Sequence, residues 1–384
     1  MTAVSVRHLS PLTSHLSLPN MLFTLYFIGW FALLAVSAWV LGRRRAGAPA
    51  LGEGRPRVSI LVAARDEQAA IARCLEAIRA LDYPPELVEV LLGNDGSTDA
   101  TAAVAEAAMQ GYAGTFRVLD IRENRGSARG KANVLAQLAR AATTDFFFIT
   151  DADIAVPPTW LQGLLAWTGP NVGIVTGLTL VTGPRLFHRL QGLDWLLSLG
   201  LVQVVTDLGQ PVTAMGNNML ITREAYEATG GYEALPFSVT EDFELFKAVR
   251  ARGFGYRNLF RPEVLAESLP MYSWRGLLHQ RRRWMRGVEQ LPGWLQGCLA
   301  LYGSFYLVLA ALAVVAGPGV ALAVWVAKSA MQGVLATVCF RRVGRRPPLA
   351  LLPVFELYTL ALTVSLVLFR LLPLHFEWKG RSYR

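Results

Sequence analysis

The stretch FFFITDADIAV, Phe146 to Val156, decides the reading of this chain. A nearly unbroken apolar run meets two aspartates separated by one alanine. So short a hydrophobic segment reads as a strand buried on both faces, with the acids at its C-terminal end. Two carboxylates held this close repel each other. A divalent cation shared with a polyphosphate relieves the repulsion, because hard oxygen ligands suit Mg²⁺ or Mn²⁺. A plainer reading is a turn in which Asp151 caps a helix starting near Pro157. The triplet alone does not separate the two.

The flanking sequence repeats the design. Between about Arg55 and Gln290, short β-branched or aromatic runs alternate with helical patterns, which predicts an α/β domain with a mainly parallel sheet. RVSILVAA (Arg57 to Ala64) reads as the first buried strand, and EQAAIARCLEAIRAL puts Ile71, Leu75, Ile78 and then Leu81 on one helical face. VEVLLGNDGSTD again ends an apolar strand in acids and small residues, at the edge where open α/β sheets bind ligands. There Ser97, Thr98 and Asp99 read as caps of the next helix, Thr98 or Ser97 foremost. Asp95 remains at the strand end, placed to accept from a nucleobase ring N–H. ARDE (Ala64 to Glu67) ends the first strand in the same way, with Asp66. RGSARGKANVLA sets Arg129 and Lys131 in a glycine-containing loop at a helix start, either a phosphate or base contact or a solvated basic loop. SVTEDFELF carries Glu241 and Asp242 at a helix start, a place that also suits acids through the helix dipole. HQRRRWMRG spaces Gln280, Arg283 and Trp284 about one turn apart. It reads equally as an interfacial amphipathic helix with Trp274 and Trp284 at the membrane boundary.

Outside this domain the chain is apolar. Of 384 residues, 53% are hydrophobic and only 17% charged, which points to a membrane protein. Met21 to Gly42 is long enough to cross a hydrocarbon core. The arginines at 43–45 follow it, unlike the basic cluster of a signal peptide, which precedes the apolar core. Residues 1–20 are therefore expected outside and the catalytic domain on the cytoplasmic side of the cell membrane. Leu295 to Gly317, Gly319 to Phe340 and Leu349 to Phe369 predict about three further spans within 295–372, after an interfacial helix near 272–290. The basic tail, 373–384, conflicts with a simple count, so one segment is expected to be re-entrant or interfacial. Lys328 and Glu356 fall inside spans, as an ion pair or as snorkelling side chains. Leu193 to Gly209 reads as a domain helix lying against the bilayer, since it carries Asp194 and Asp207. The net charge of +9 gathers at membrane flanks, which argues against nucleic-acid binding. Cys74, Cys298 and Cys339, and the scattered histidines, lack disulfide or zinc spacing.

Taken in order, Asp66, Asp95, Asp151-Ala152-Asp153, Thr240-Glu241-Asp242 and Gln280-Arg281-Arg282-Arg283-Trp284 resemble the motifs of membrane-embedded family 2 glycosyltransferases. That branch includes cellulose, chitin and hyaluronan synthases and ceramide glucosyltransferase. The resemblance covers roughly Arg57 to Gly287; Asn94 stands where a double acid is usual. It implies a GT-A-type nucleotide-sugar-binding domain flanked by transmembrane helices. It further implies inverting, metal-dependent transfer from a UDP-sugar to a lipid or glycan hydroxyl. Asp151 and Asp153 would hold Mg²⁺ or Mn²⁺, and Asp242 would act as general base. Asp66 and Asp95, with Lys131 beside them, would read the uridine. Gln280 and Arg283 would hold the diphosphate, Trp284 would line the acceptor path, and Gly216 to Tyr226 would lie beside the acceptor. Single transfer to a lipid is favoured over processive synthesis, because four spans offer little material for a channel unless copies of the chain associate. A non-catalytic scaffold would have no use for Asp242.

Overall fold

The computed structural model describes residues 18–43, 47, 49, 54–371, 376–378 and 381–383. Most of the expected outer segment and basic tail, and Arg44 and Arg45, lie outside them. The chain starts with α1 (Leu18–Gly42), then β1 (Val58–Ala64), α2 (Ile71–Arg79), β2 (Val88–Asn94), α3 (Thr101–Met109) and β3 (Thr115–Asp120). Next come α4 (Gly130–Ala141), β4 (Phe146–Asp151), β5 (Ile154–Ala155), α5 (Trp160–Leu165), β6 (Val172–Thr176) and β7 (Leu178–Val181). The long α6 (Leu186–Asp207) leads to β8 (Asn218–Thr222), α7 (Arg223–Ala228), α8 (Gly231–Ala234), α9 (Glu241–Ala251), β9 (Gly255–Asn258) and β10 (Leu265–Ser268). After α10 (Trp274–Val288) come the apolar α11 (Gly293–Gly303), α12 (Phe305–Ala316), α13 (Pro318–Arg342) and α14 (Leu352–Leu371). A short hairpin, β11 (Phe376–Trp378) with β12 (Arg381–Tyr383), follows.

Seven strands form the main sheet in the order β3-β2-β1-β4-β8-β6-β9. It is mainly parallel, as expected. Only β8 runs against its neighbours β4 and β6. A second sheet, β5-β10-β7, lies beside it. Successive side chains of a strand point to opposite faces, and here both faces are buried. Ile60, Val62, Val90, Leu92 and Phe148 enter one core, while Leu61, Leu91, Phe147 and Ile149 enter another. Ile71, Leu75 and Ile78 of α2 close the first, and Val134, Leu135 and Leu138 of α4 close the second. Gly93 lets α4 come close, since a Cβ there would stand 2.2 Å from Val134 Cγ1. This two-sided burial explains the unbroken apolar runs at residues 60–64, 90–92 and 146–149 of β1, β2 and β4.

Among the described residues, three segments are long and apolar enough to cross a membrane: Leu18–Gly42, Pro318–Arg342 and Leu349–Phe369. The pair α11 and α12 makes a fourth if counted as one span, bent by 49°. Such a bend suits a broken span or a re-entrant segment; the break falls at Ser304, whose Oγ bonds Tyr26 Oη at 2.9 Å. Helix α6 packs along α1, α13 and α14 without being a candidate span. Its acids are each paired, Asp194 with Arg281 and Asp207 with Arg342. Lys328 and Glu356 form a buried ion pair between α13 and α14, and Tyr306 Oη donates to Glu356 Oε2 at 2.9 Å. Mutual pairing offsets the desolvation that either charge would suffer alone.

Candidate active site

The parallel register brings the acids to one edge. Ala63 of β1 pairs with Asp151, and Ala64 pairs with Asn94. The C-terminal ends of β2, β1 and β4 are therefore level, about 4.8 Å apart from strand to strand. Arg65 ties two of them together. Its Nη1 donates to the Asp95 carbonyl at 2.8 Å and lies 4.0 Å from Asp95 Oδ2, while its Nε is 3.9 Å from Asp66 Oδ2. Asp66 takes the left-handed conformation, φ 51°, which turns its carboxylate onto the β2 loop. There Oδ1 accepts from the Thr98 N–H at 2.7 Å and the Thr98 hydroxyl at 3.2 Å. The Thr98 backbone bond holds the carboxyl below its ordinary range.

This bonding corrects one expectation. Neither Ser97 nor Thr98 caps α3, because both serve Asp66. The Thr101 N–H at the helix start donates instead to Asp99 Oδ1 at 3.0 Å. Nor does Asp151 cap a helix near Pro157, as the plainer reading had it: α5 begins at Trp160, preceded by Thr159.

Asp151 closes β4, and Asp153 follows in the turn to β5, with Ala152 buried between them. Arg73 Nη1 donates to the Asp153 carbonyl at 3.2 Å and to the Glu267 carbonyl at 3.3 Å, tying this turn to the second sheet. Lys131 makes its ion pairs with Asp151 and Glu241. Its Nζ lies 2.6 Å from Asp151 Oδ1 and 3.1 Å from Glu241 Oε1, joining the starts of α4 and α9 to the end of β4. Burial opposes the ammonium charge, but Asp151 and Glu241 outweigh it and raise its pKa.

Beside Glu241 stands Asp242. Its Oδ2 accepts from the Gly216 N–H at 2.9 Å and its Oδ1 from the Phe243 N–H at 2.9 Å. Burial, then the neighbouring Glu241, push its pKa up to about 6, against the pull of Lys131 and the two N–H donors. Gly216 and Glu241 are parts of the site whose roles the sequence did not disclose. A Cβ at Gly216 would stand 2.6 Å from Asp242 Cβ. Only glycine lets the β8 approach come this close.

Helix α10 carries the Gln280 to Trp284 motif. Trp284 packs on Trp195 of α6 with ring centroids 4.4 Å apart, and the Arg281 guanidinium lies 4.5 Å from the Trp284 ring centroid. The end of this helix meets the start of α9. A Cβ at Gly287 would be 3.8 Å from Thr240 Cγ2, and Lys247 Nζ donates to Gln290 Oε1 just beyond at 2.8 Å. The motif thus lies within two turns of Thr240-Glu241-Asp242. Asp66 and Asp95 occupy the β1–β2 side of the edge and the Lys131–Asp242 group the β4–β8 side, with Asp151 and Asp153 between.

Among the described residues no three His, Cys, Asp or Glu side chains are grouped as a metal cage. The donor set at the edge is the pair Asp151 and Asp153. Two hard carboxylates fit Mg²⁺ or Mn²⁺, ions that commonly take one or two acids and complete their shell with phosphate oxygens and water.

The architecture is a GT-A-like α/β fold with acids at the C-terminal edge of its parallel strands, and the family the sequence matches makes it a glycosyltransferase. The chain belongs to glycosyl transferase family 21, whose sequence model matches residues 21–384. It is 27% identical over 283 residues to a beta-monoglucosyldiacylglycerol synthase of Synechocystis sp., a match covering 70% of this chain and 58% of that protein. It is 26% identical over 239 residues to a poly-beta-1,6-N-acetyl-D-glucosamine synthase of Staphylococcus aureus, covering 61% of this chain and 55% of that one. The chain thus spans little more than half the length of these relatives. A mannosyltransferase from Pyrobaculum calidifontis, solved in complex with GDP-Man and Mn²⁺, superposes with a TM-score of 0.60 at 20% identity, covering 91% of this chain and 99% of that one. The last likeness is one of fold. The resemblance to family 2-type, membrane-associated glycosyltransferases is borne out.

Proposed function

We propose that this chain transfers a sugar from a nucleoside-diphosphate sugar, a UDP-sugar first among them, to a lipid hydroxyl at the membrane surface, with inversion at the anomeric carbon. The observation that carries the reading is Asp242: a carboxylate gripped by two backbone N–H groups at 2.9 Å, next to the Asp151–Lys131–Glu241 chain and below the α10 helix.

In this mechanism Asp66 and Asp95, steadied by Arg65, receive the nucleoside. Asp151 and Asp153 would hold a divalent ion, which when bound would supply Lewis-acid stabilisation of the leaving diphosphate. Lys131 contributes fixed positive charge beside Asp151, and Gln280 and Arg283 bind the diphosphate from α10. Asp242 accepts the proton of the acceptor hydroxyl as its oxygen attacks the anomeric carbon opposite the leaving group. The bond to the diphosphate oxygen breaks and the proton ends on Asp242. General-base assistance of this kind is worth roughly two to four powers of ten in rate. Trp284, packed on Trp195, lines the acceptor path.

Two points favour a lipid acceptor over a growing polymer. Two relatives, matched over 283 and 272 residues, are named beta-monoglucosyldiacylglycerol synthases, and three candidate spans with one bent pair among the described residues give few helices for a polymer channel. The polysaccharide synthase relative supports the second reading, processive synthesis, in which copies would associate to close a pore.

The test is a donor screen on purified protein in detergent with Mg²⁺ or Mn²⁺. Release of UDP or GDP is measured from each nucleotide sugar with and without diacylglycerol, and products are sized. Lipid-stimulated release with a lipid bearing one sugar is expected. A ladder of long glycans would overturn the lipid reading, and no release from any donor would overturn the transfer itself.

A further inference from the structure

A cavity of about 450 Å³ lies where α1 and α13 end against the catalytic domain, outside the set of residues assigned to transfer. Its walls include Leu41 and Arg43 from the end of α1, Phe260 and Arg261 from the loop after β9, and Arg341 and Arg342 from the end of α13. Four of its nine lining residues are arginines and none is acidic. The volume falls in the range of ligand sites, roughly 300–1,000 Å³.

The four arginines are not equivalent. Arg342 is structural: its Nε donates to the Phe260 carbonyl and its Nη1 to the Leu41 carbonyl, each at 3.2 Å, and it faces Asp207 at 3.7 Å. It joins the end of α1 to the domain, and Asp207 balances its charge. Arg43 lies on the Trp39 ring at 3.4 Å and Arg261 over the Trp167 ring at 5.0 Å, contacts that orient a guanidinium by its flat face. Arg341 is exposed. Four guanidinium groups thus meet at a cavity whose lining holds no carboxylate, and one of them, Arg342, faces Asp207. Helix C-termini attract cations and arginines snorkel from span ends, but those habits do not require arginines from three separate segments to face one cavity.

We infer that this cavity binds the phosphate of an anionic phospholipid, in the leaflet on the catalytic-domain side. The inference rests on reading α1 and α13 as membrane spans. Both end at the cavity, which sets it at headgroup depth, and basic pockets between spans at that depth suit anionic headgroups. Guanidinium groups match phosphate oxygens in paired hydrogen bonds. Leu41, Val338 and Phe260 supply apolar wall beside the acyl region.

The experiment uses the full chain in neutral detergent, titrated with short-chain phosphatidylglycerol, short-chain phosphatidylcholine or inorganic phosphate, and read by native mass spectrometry and thermal shift. Phosphatidylglycerol should bind at least tenfold more tightly than either other ligand. Arg261→Gln combined with Arg341→Gln should weaken it about tenfold or more, with Arg342 left in place to keep the helices joined. Arg346→Gln, outside the cavity lining, should bind as wild type, and Arg341→Lys should retain most of the binding. Unchanged phosphatidylglycerol affinity in the double variant would overturn the inference. So would equal affinity for phosphatidylcholine, or for inorganic phosphate, which would mark a free-anion site. The readout is independent of transfer, so its failure leaves the proposed reaction standing.

Discussion

Gly216→Ala tests the placement of the base without touching its chemistry. Gly216 does not have the left-handed φ that would bar alanine, so the perturbation is steric. The new Cβ would meet Asp242 Cβ at 2.6 Å and Oδ2 at 2.9 Å, whereas carbon atoms pack at about 3.5–4.0 Å. Asp242 must therefore withdraw by about 1 Å, and the Gly216 N–H···Oδ2 bond with it. A misplacement of about 1 Å costs on the order of 100-fold in rate, or about 2.7 kcal/mol in the barrier. The assay is nucleotide release at saturating donor and acceptor, beside a donor titration and a melting curve. We expect kcat to fall about 100-fold with donor affinity little changed. Gly169→Ala, where a Cβ meets nothing within 4 Å, serves as the neutral control. A folded Gly216→Ala enzyme with wild-type kcat would refute the reasoning.

Four further outcomes are expected. A carboxyl with a pKa pushed up to about 6 must lose its proton to act as base, so kcat/KM should rise about tenfold per pH unit below that value and level off above it; a flat profile from pH 5 to 7 would exclude Asp242. Because this pKa is raised in the fold, ionisation disfavours the native state: stability should decline as pH climbs from about 4 through about 6, and Asp242→Asn should flatten that slope in pH-dependent melting curves. Asp151→Asn and Asp153→Asn should each raise the Mn²⁺ concentration for half-maximal activity roughly tenfold or more, measured by titration into chelator-treated protein. Lys328→Met should destabilise the protein by roughly 3–5 kcal/mol by leaving Glu356 as an unpaired buried charge, and adding Glu356→Met should restore most of the loss; equal melting points for the single variant and wild type would show that the pair is not buried in the membrane region.

Much of the fold was legible because two-sided burial leaves so plain a mark. Residues 60–64, 90–92 and 146–149 are apolar without alternation since each face meets a core, and the acids at the strand ends stand out against them. What stayed hidden depends on contacts between distant segments. Lys131 reads locally as a loop cation, and only the fold brings it between Asp151 and Glu241, 20 and 110 residues away. Thr98 looks like a helix cap until Asp66 arrives from another strand and takes its N–H. Gly216 opens a segment that the resemblance sets beside the acceptor, but nothing local shows that the position needs glycine. Its requirement for glycine comes from Asp242, 26 residues later. The charge pattern called for one irregular C-terminal segment, but not for a bend between α11 and α12, since Ser304 is a weak breaker in an apolar run.

The account stands on Asp242 as the group that deprotonates the acceptor while the rest of the edge binds the donor. The direct test is Asp242→Asn, measured for nucleotide-sugar affinity by calorimetry with Mn²⁺ and for sugar transfer in the same preparation. Donor affinity within about threefold of wild type, with transfer reduced by two to four powers of ten, is the predicted pair of results. Transfer at the wild-type rate would contradict it.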